Sequence, residues 1–133
     1  MNHFTALGLA FQALYSNVRI LVLTPEYSVR ETLDTLAHLP DNPKPNALAD
    51  FLRPDRVNRA NGAEEVIYPT GSRIQIRRYT HTASLHLASR ADIVFIDTPV
   101  EYDLRQRQGE NYRREWENNL GQYISPFTRL VRG

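Results

Sequence analysis

Apolar residues gather along this chain in two kinds of run, and each predicts a different element. In Ala91-Asp92-Ile93-Val94-Phe95-Ile96-Asp97-Thr98-Pro99 an unbroken apolar stretch stands between two aspartates, rich in β-branched and aromatic types. So short a run predicts a strand buried on both faces, most simply the centre of a parallel sheet. Asp97 then lies at the strand's carboxyl end, the edge where open α/β sheets bind ligands. Val18 to Thr24 repeats the pattern and is stopped by Pro25. Residues 3–16 differ, because their apolar positions follow the helical period. Phe4, Leu7, Phe11, Leu14 and Tyr15 share one stripe, while Ala6, Leu9, Ala10 and Ala13 keep the flanks apolar. Such a helix expects cover on most sides.

Between these runs the polar positions act as punctuation. Ser28-Val29-Arg30-Glu31 has the form of a capping box and opens a helix to about Leu39, with Val29, Leu33, Leu36 and Ala37 facing inward. Residues 40–62 hold four prolines and no sustained period, which predicts a surface excursion with a short helix near Ala47–Leu52. Glu65–Tyr68, Pro69-Thr70-Gly71-Ser72 and Arg73–Arg78 form a hairpin pattern, with Pro69 and Gly71 in the second and fourth places of a type I turn. In its second strand Ile74 and Ile76 point one way and Arg73, Gln75 and Arg77 the other, so one face is expected to be wet. Thr80 to Arg90 fits either a short helix or a polar loop. Residues 103–124 predict an amphipathic helix, with Tyr112, Trp116, Leu120, Tyr123 and Ile124 at helical spacing.

Length and composition narrow the picture. With 133 residues, 41% of them hydrophobic and 23% charged, the chain is expected to form a single α/β domain, with a small mixed, partly parallel sheet flanked by helices. A formal net charge of +1 gives no bulk attraction for a polyanion. Lys44 is the only lysine among sixteen basic residues. Arginine grips phosphate and carboxylate with a planar fork that lysine lacks, although a GC-rich genome produces the same bias. The absence of cysteine suits a reducing cytoplasm, and neither a signal peptide nor a run of the ~20 apolar residues that span a bilayer is found.

Three pieces carry a family resemblance: Ile20-Leu21-Val22-Leu23-Thr24-Pro25, Ile67-Tyr68-Pro69-Thr70-Gly71-Ser72-Arg73-Ile74-Gln75-Ile76, and Ala91-Asp92-Ile93-Val94-Phe95-Ile96-Asp97. In this order, over residues 4–98, the chain resembles a RecA-like ATPase core, and more specifically the ATPase domain of phage large terminases, the DNA-packaging motors. The resemblance implies a RecA-like fold over about residues 4–100 and a viral protein in the cytoplasm of its host. It also implies that the third piece is the Walker B strand, whose Asp holds Mg²⁺; Asp97 and Thr98 would mark a residual nucleotide site.

Two departures shape the expected function. The family places a phosphate loop, G-x-x-x-x-G-K-[ST], before the first helix, and this sequence opens at Met1-Asn2-His3-Phe4-Thr5, where that loop would be ending. The family also follows the Walker B Asp with a Glu that orients water, where Thr98 and Pro99 stand here. The expectation is therefore a non-hydrolysing interaction module in a packaging or replication complex, or a mimic of an ATPase subunit. It would carry no cofactor and act through a protein partner or a homo-oligomer. An alternative is a split enzyme in which Asp97 serves a phosphate loop on another chain, and only then would Mg²⁺ and ATP be bound.

Other candidates are weighed against plainer roles. Arg53, Arg56, Arg59, Arg73, Arg77 and Arg78 form a possible phosphate-contacting surface for a nucleic-acid accessory, or a solvated set paired with Asp50, Asp55, Glu64 and Glu65. Tyr112, Trp116 and Leu120 are a candidate interface, or core anchors. His81 and His86 flank Ser84 without a third triad member, and with His3 and His38 they show no zinc spacing. For Asp97 the plainer role is a strand-end carboxylate held by neighbouring amides.

Overall fold

The computed structural model describes residues 1–41, 44–79, 91–102 and 129–132. Helix α1 (His3–Ser16) leads into strand β1 (Arg19–Thr24), helix α2 (Val29–Ala37), strands β2 (Arg56–Asn58), β3 (Glu65–Ile67), β4 (Arg73–Arg78) and β5 (Ile93–Ile96), and finally β6 (Arg129–Arg132). The six strands make one mixed sheet in the order β2-β3-β4-β1-β5-β6. Strand β1 is parallel to both β4 and β5, and β5 is parallel to β6. On the other side β2, β3 and β4 form an antiparallel meander. The two unbroken apolar runs are thus neighbours inside the parallel half, as fully buried strands should be.

Alternation of side chains divides the sheet into two faces. Ile20, Val22, Ile74, Ile76, Ile93 and Phe95 share a face and pack with Ala6, Leu9, Ala10 and Ala13 of α1 and Val29, Leu33 and Leu36 of α2. This is the principal core. Leu21, Leu23, Gln75, Arg77, Val94 and Ile96 lie on the opposite face and are buried too. The face expected to be wet is therefore closed at Gln75, 5% exposed, and Arg77, 9% exposed, while Arg73 on the same face is half-buried. Burial runs through the middle of β4, from Ile74 to Arg77, while Arg73 at its start is half-buried and Arg78 at its end is exposed.

Local chemistry explains most element ends. The Asn2 side chain caps α1 by accepting from the Thr5 amide at 2.8 Å. Asn17 ends it in the left-handed region, at φ 50°, a conformation that Asn tolerates well. The β3–β4 turn has the expected form: the Gly71 amide donates to the Tyr68 carbonyl at 2.8 Å, and Gly71 takes φ 87°. The expected capping box of α2 is absent. Ser28 closes a 3-10 turn over Glu26–Ser28 and enters α2 with helical φ/ψ, whereas a capping hydroxyl needs an extended backbone behind it. The excursion after Pro40 contains a 3-10 helix at Ala47–Leu52 and also supplies the edge strand β2, which its prolines had concealed.

Helix α1 is covered on one side only, not on most sides as expected. Its buried residues are Ala6, Leu9, Ala10 and Ala13, while Phe4, Phe11 and Tyr15 point to solvent. Small side chains let a helix sit close to a sheet, and the bulky stripe is then turned outward. The segments 80–90 and 103–124, with the alternatives and the aromatic stripe drawn there, lie outside the described residues.

Candidate functional site

The parallel strands deliver Thr24, Arg78 and Asp97 to one carboxyl edge. The Thr24 hydroxyl, on a fully buried residue, donates to Asp97 Oδ2 at 2.8 Å. The Thr98 amide donates to Oδ1 of the same carboxylate at 3.0 Å. Residues 98–102 are helical, and the amides of Val100 and Glu101 donate to the Asp97 carbonyl at 3.0 and 3.1 Å. Asp97 therefore stands at the start of that helix, its carbonyl accepting the first helical bonds, while its side chain holds β5 to β1 and meets the neighbouring Thr98 amide. Pro99 falls in the first turn, where its missing N–H costs nothing.

The other aspartate of the central run does matching work at the opposite end. Asp92 Oδ2 accepts from the Arg19 amide at 2.9 Å, and the Asp92 amide donates to the Arg19 carbonyl at 2.9 Å. The two aspartates thus fasten β5 to β1 above and below four buried apolar residues. Around the carboxyl edge Arg78 pairs with Glu26 at 3.1 Å, and Tyr27 is exposed.

The arginine surface is divided. Register and alternation put Arg56, Arg73 and Arg77 on one face of the sheet, with Glu65 among them. Arg73 lies 3.8 Å from the Glu65 carboxylate. Arg77 donates from one guanidinium nitrogen to the carbonyls of Glu64 and Ile76 at 2.8 and 2.9 Å, and burial lowers its pKa. Arg53 grips both carboxylate oxygens of Asp41 and reaches Asp50 as well; its hydrogen bonds hold the Asp41 carboxyl below the usual range. Arg59 binds Asp34 of α2. Four of the six arginines are in ion pairs and a fifth is buried. Only Arg56 is exposed without an ion-pair partner among the described residues.

Two features were not foreseen. A pocket of about 570 Å³ opens beside the amino end of α1, lined largely by Leu7, Leu39, Pro40, Pro45 and Leu52, with His3 and Lys44 as its basic groups. The Tyr68 hydroxyl is buried in the core with no hydrogen-bond partner among the described residues, and burial pushes its pKa up. The Thr24 contact had a visible signal in the chain, since both buried strands end in a polar residue close to a proline. The Arg77 burial had none, because an isolated Arg in an alternating strand reads as solvent-facing. His81, Ser84, His86, Tyr112, Trp116 and Leu120 lie outside the described residues. No helix among the described residues is long and apolar enough to cross a membrane. Compared with known proteins, the chain matches no family model and no curated protein.

Proposed function

We propose that this chain is a RecA-like core, similar to the ATPase domain of phage large terminases, that works as a non-hydrolysing binding module. The supporting architecture is the parallel pair β1 and β5, with Asp97 at the carboxyl edge where the resemblance puts a Walker B carboxylate. The observation that carries the non-hydrolysing part is the state of that carboxylate. Both of its oxygens accept hydrogen bonds from the chain itself, one from the Thr24 hydroxyl and one from the Thr98 amide. Magnesium in phosphoryl-transfer sites is held by one or two carboxylates together with substrate phosphates, in near-ideal octahedral geometry. The two bonds commit Asp97 to holding β5 against β1 and to the start of the following helix, which supports a structural role for it. Asp97 on this reading is a structural residue kept at an ancestral position.

The arginines favour the same class of function over nucleic-acid binding. Ion pairs and burial occupy five of the six candidates, which removes most of the positive potential a phosphate backbone would meet. A phosphate-release assay with Mg²⁺ and ATP tests the proposal. The expected outcome is release no faster than in buffer. Turnover that disappears in Asp97→Asn would overturn it.

A further inference from the structure

The outer face of α1 is unusual for an exposed helix surface. Phe4 is 81% exposed, Phe11 45% and Tyr15 92%, and no Asp, Glu, Lys or Arg interrupts the helix from His3 to Ser16. At 100° per residue Phe4, Gly8, Phe11 and Tyr15 fall within an arc of about 60°. Phe51, on the Ala47–Leu52 turn, extends the patch by packing its ring against Phe11, with centroids 5.6 Å apart. Gly8 sits in the middle of the stripe, where a glycine weakens the helix. Nothing among the described residues asks for it, since a Cβ added there would meet no atom within 4 Å.

We infer that this face is a two-fold interface between two copies of the chain, formed by antiparallel pairing of their α1 helices. The stripe is complementary to itself in that arrangement. A two-fold axis midway between residues 9 and 10 sets Phe4 against Tyr15 of the second copy and Phe11 against the second copy's Gly8. Each pairing is repeated across the axis, as an isologous contact requires. Gly8 then becomes the hole that receives an aromatic ring and lets the backbones approach, which gives the glycine a purpose. Antiparallel packing also opposes the helix dipoles, and the helix carries no Asp, Glu, Lys or Arg to repel its copy.

The area suits a dimer in reversible exchange. Four rings at 150–250 Å² each, scaled by exposures of 81, 45, 92 and 54%, present roughly 400–700 Å² per protomer. Two such faces bury about 800–1,400 Å², around the lower end for a specific interface. Dissociation constants on the order of 10 µM are expected for so modest an area. This inference deepens the binding-module reading by naming the partner. A monomeric protein would remove the dimer and leave the role of Asp97 untouched.

Sedimentation equilibrium of the full chain between about 1 and 100 µM is the first arm of the test, with a monomer–dimer equilibrium expected. Gly8→Arg should weaken the dimer at least tenfold with an unchanged circular dichroism spectrum, because the new side chain has open space within its own chain. The register is read by cross-linking, for which the chain offers a cysteine-free background. Phe4→Cys mixed with Tyr15→Cys should oxidise readily to a disulfide heterodimer. Phe4→Cys alone should not, since its two copies would lie about 16 Å apart along the helices, beyond disulfide reach. A monomer at 100 µM, whatever covers the face, would overturn the inference, as would Phe4→Cys cross-linking to itself as fast as to Tyr15→Cys.

Discussion

The Thr24 hydroxyl and the Asp97 carboxylate meet at 2.8 Å across adjacent parallel strands, although 73 positions separate them in the chain. The contact assigns a structural task to the one carboxylate that a nucleotide site would need. Because the donor is fully buried and the acceptor is a carboxylate oxygen, it belongs to the stronger class of side-chain hydrogen bonds.

Thr24→Val keeps the shape of the side chain and removes the donor. It should destabilise the fold by about 1.5–3 kcal/mol, the range for a hydrogen bond to a charged group. Asp97→Ala should cost more, because its bond from the Thr98 amide is lost as well. Urea unfolding of both variants and their double mutant should show a coupling of about 1–2 kcal/mol. Strictly additive losses would mean that the two residues act apart.

Tyr68→Phe is expected to be neutral or stabilising near pH 7. The hydroxyl it removes is buried, and no bond among the described residues compensates its burial. The alkaline limb carries a sign. Burial raises the folded-state pKa of Tyr68 above its ordinary value of about 10. The folded state then holds this proton more tightly, so the contribution is full below about pH 10 and declines as pH rises toward the folded value. Wild-type stability should fall on that limb more steeply than that of Tyr68→Phe. Parallel limbs would contradict the burial.

How much of this could be read from the sequence depended on how local the deciding interaction is. Strands β1 and β5 and the Pro69–Gly71 turn were legible because run length and turn chemistry act within a few residues. The facing of α1 was not. Every side of that helix is apolar, so the pattern cannot choose a face, and the choice falls to how closely Ala6, Ala10 and Ala13 let it approach the sheet. Strand β2 escaped notice because three residues among prolines carry no period. At the site, Asp97 was visible as a strand-end acid, but its partner Thr24 belongs to another strand. The arginines were visible as a set, yet their pairing with Asp34, Asp41, Glu26 and Glu65 is a tertiary matter.

The two helix and turn glycines should respond oppositely to alanine. Gly71 has φ 87°, where an L side chain is strained by about 1–2 kcal/mol, and Gly71→Ala should lower stability by that much. Gly8→Ala meets open space inside a helix and should stabilise the protomer by up to about 1 kcal/mol. Thermal unfolding at concentrations below those that support association separates the two effects.

Arg77→Ala should cost about 2–4 kcal/mol, because it empties a buried site and strips the Glu64 and Ile76 carbonyls of a charged donor. Arg56→Gln, on an exposed residue, should change stability by less than about 0.5 kcal/mol. Neither should matter to nucleic acid, since duplex and single-stranded DNA are expected to run unretarded at low salt. A retarded band whose salt slope flattens by about 1 for each Arg of the Arg56, Arg73 pair changed to Gln would restore the phosphate-binding role.

Calorimetric titration of Mg²⁺ and ATP into the wild-type protein and into Asp97→Asn reaches the central claim most directly. The account predicts no saturable heat for either protein up to a ligand concentration of about 1 mM, where only binding weaker than roughly −4 kcal/mol would pass unseen. The Asn variant should differ from wild type only in a lower unfolding temperature. A micromolar dissociation constant in the wild type, lost in Asp97→Asn, would show the carboxylate serving a nucleotide and contradict the account.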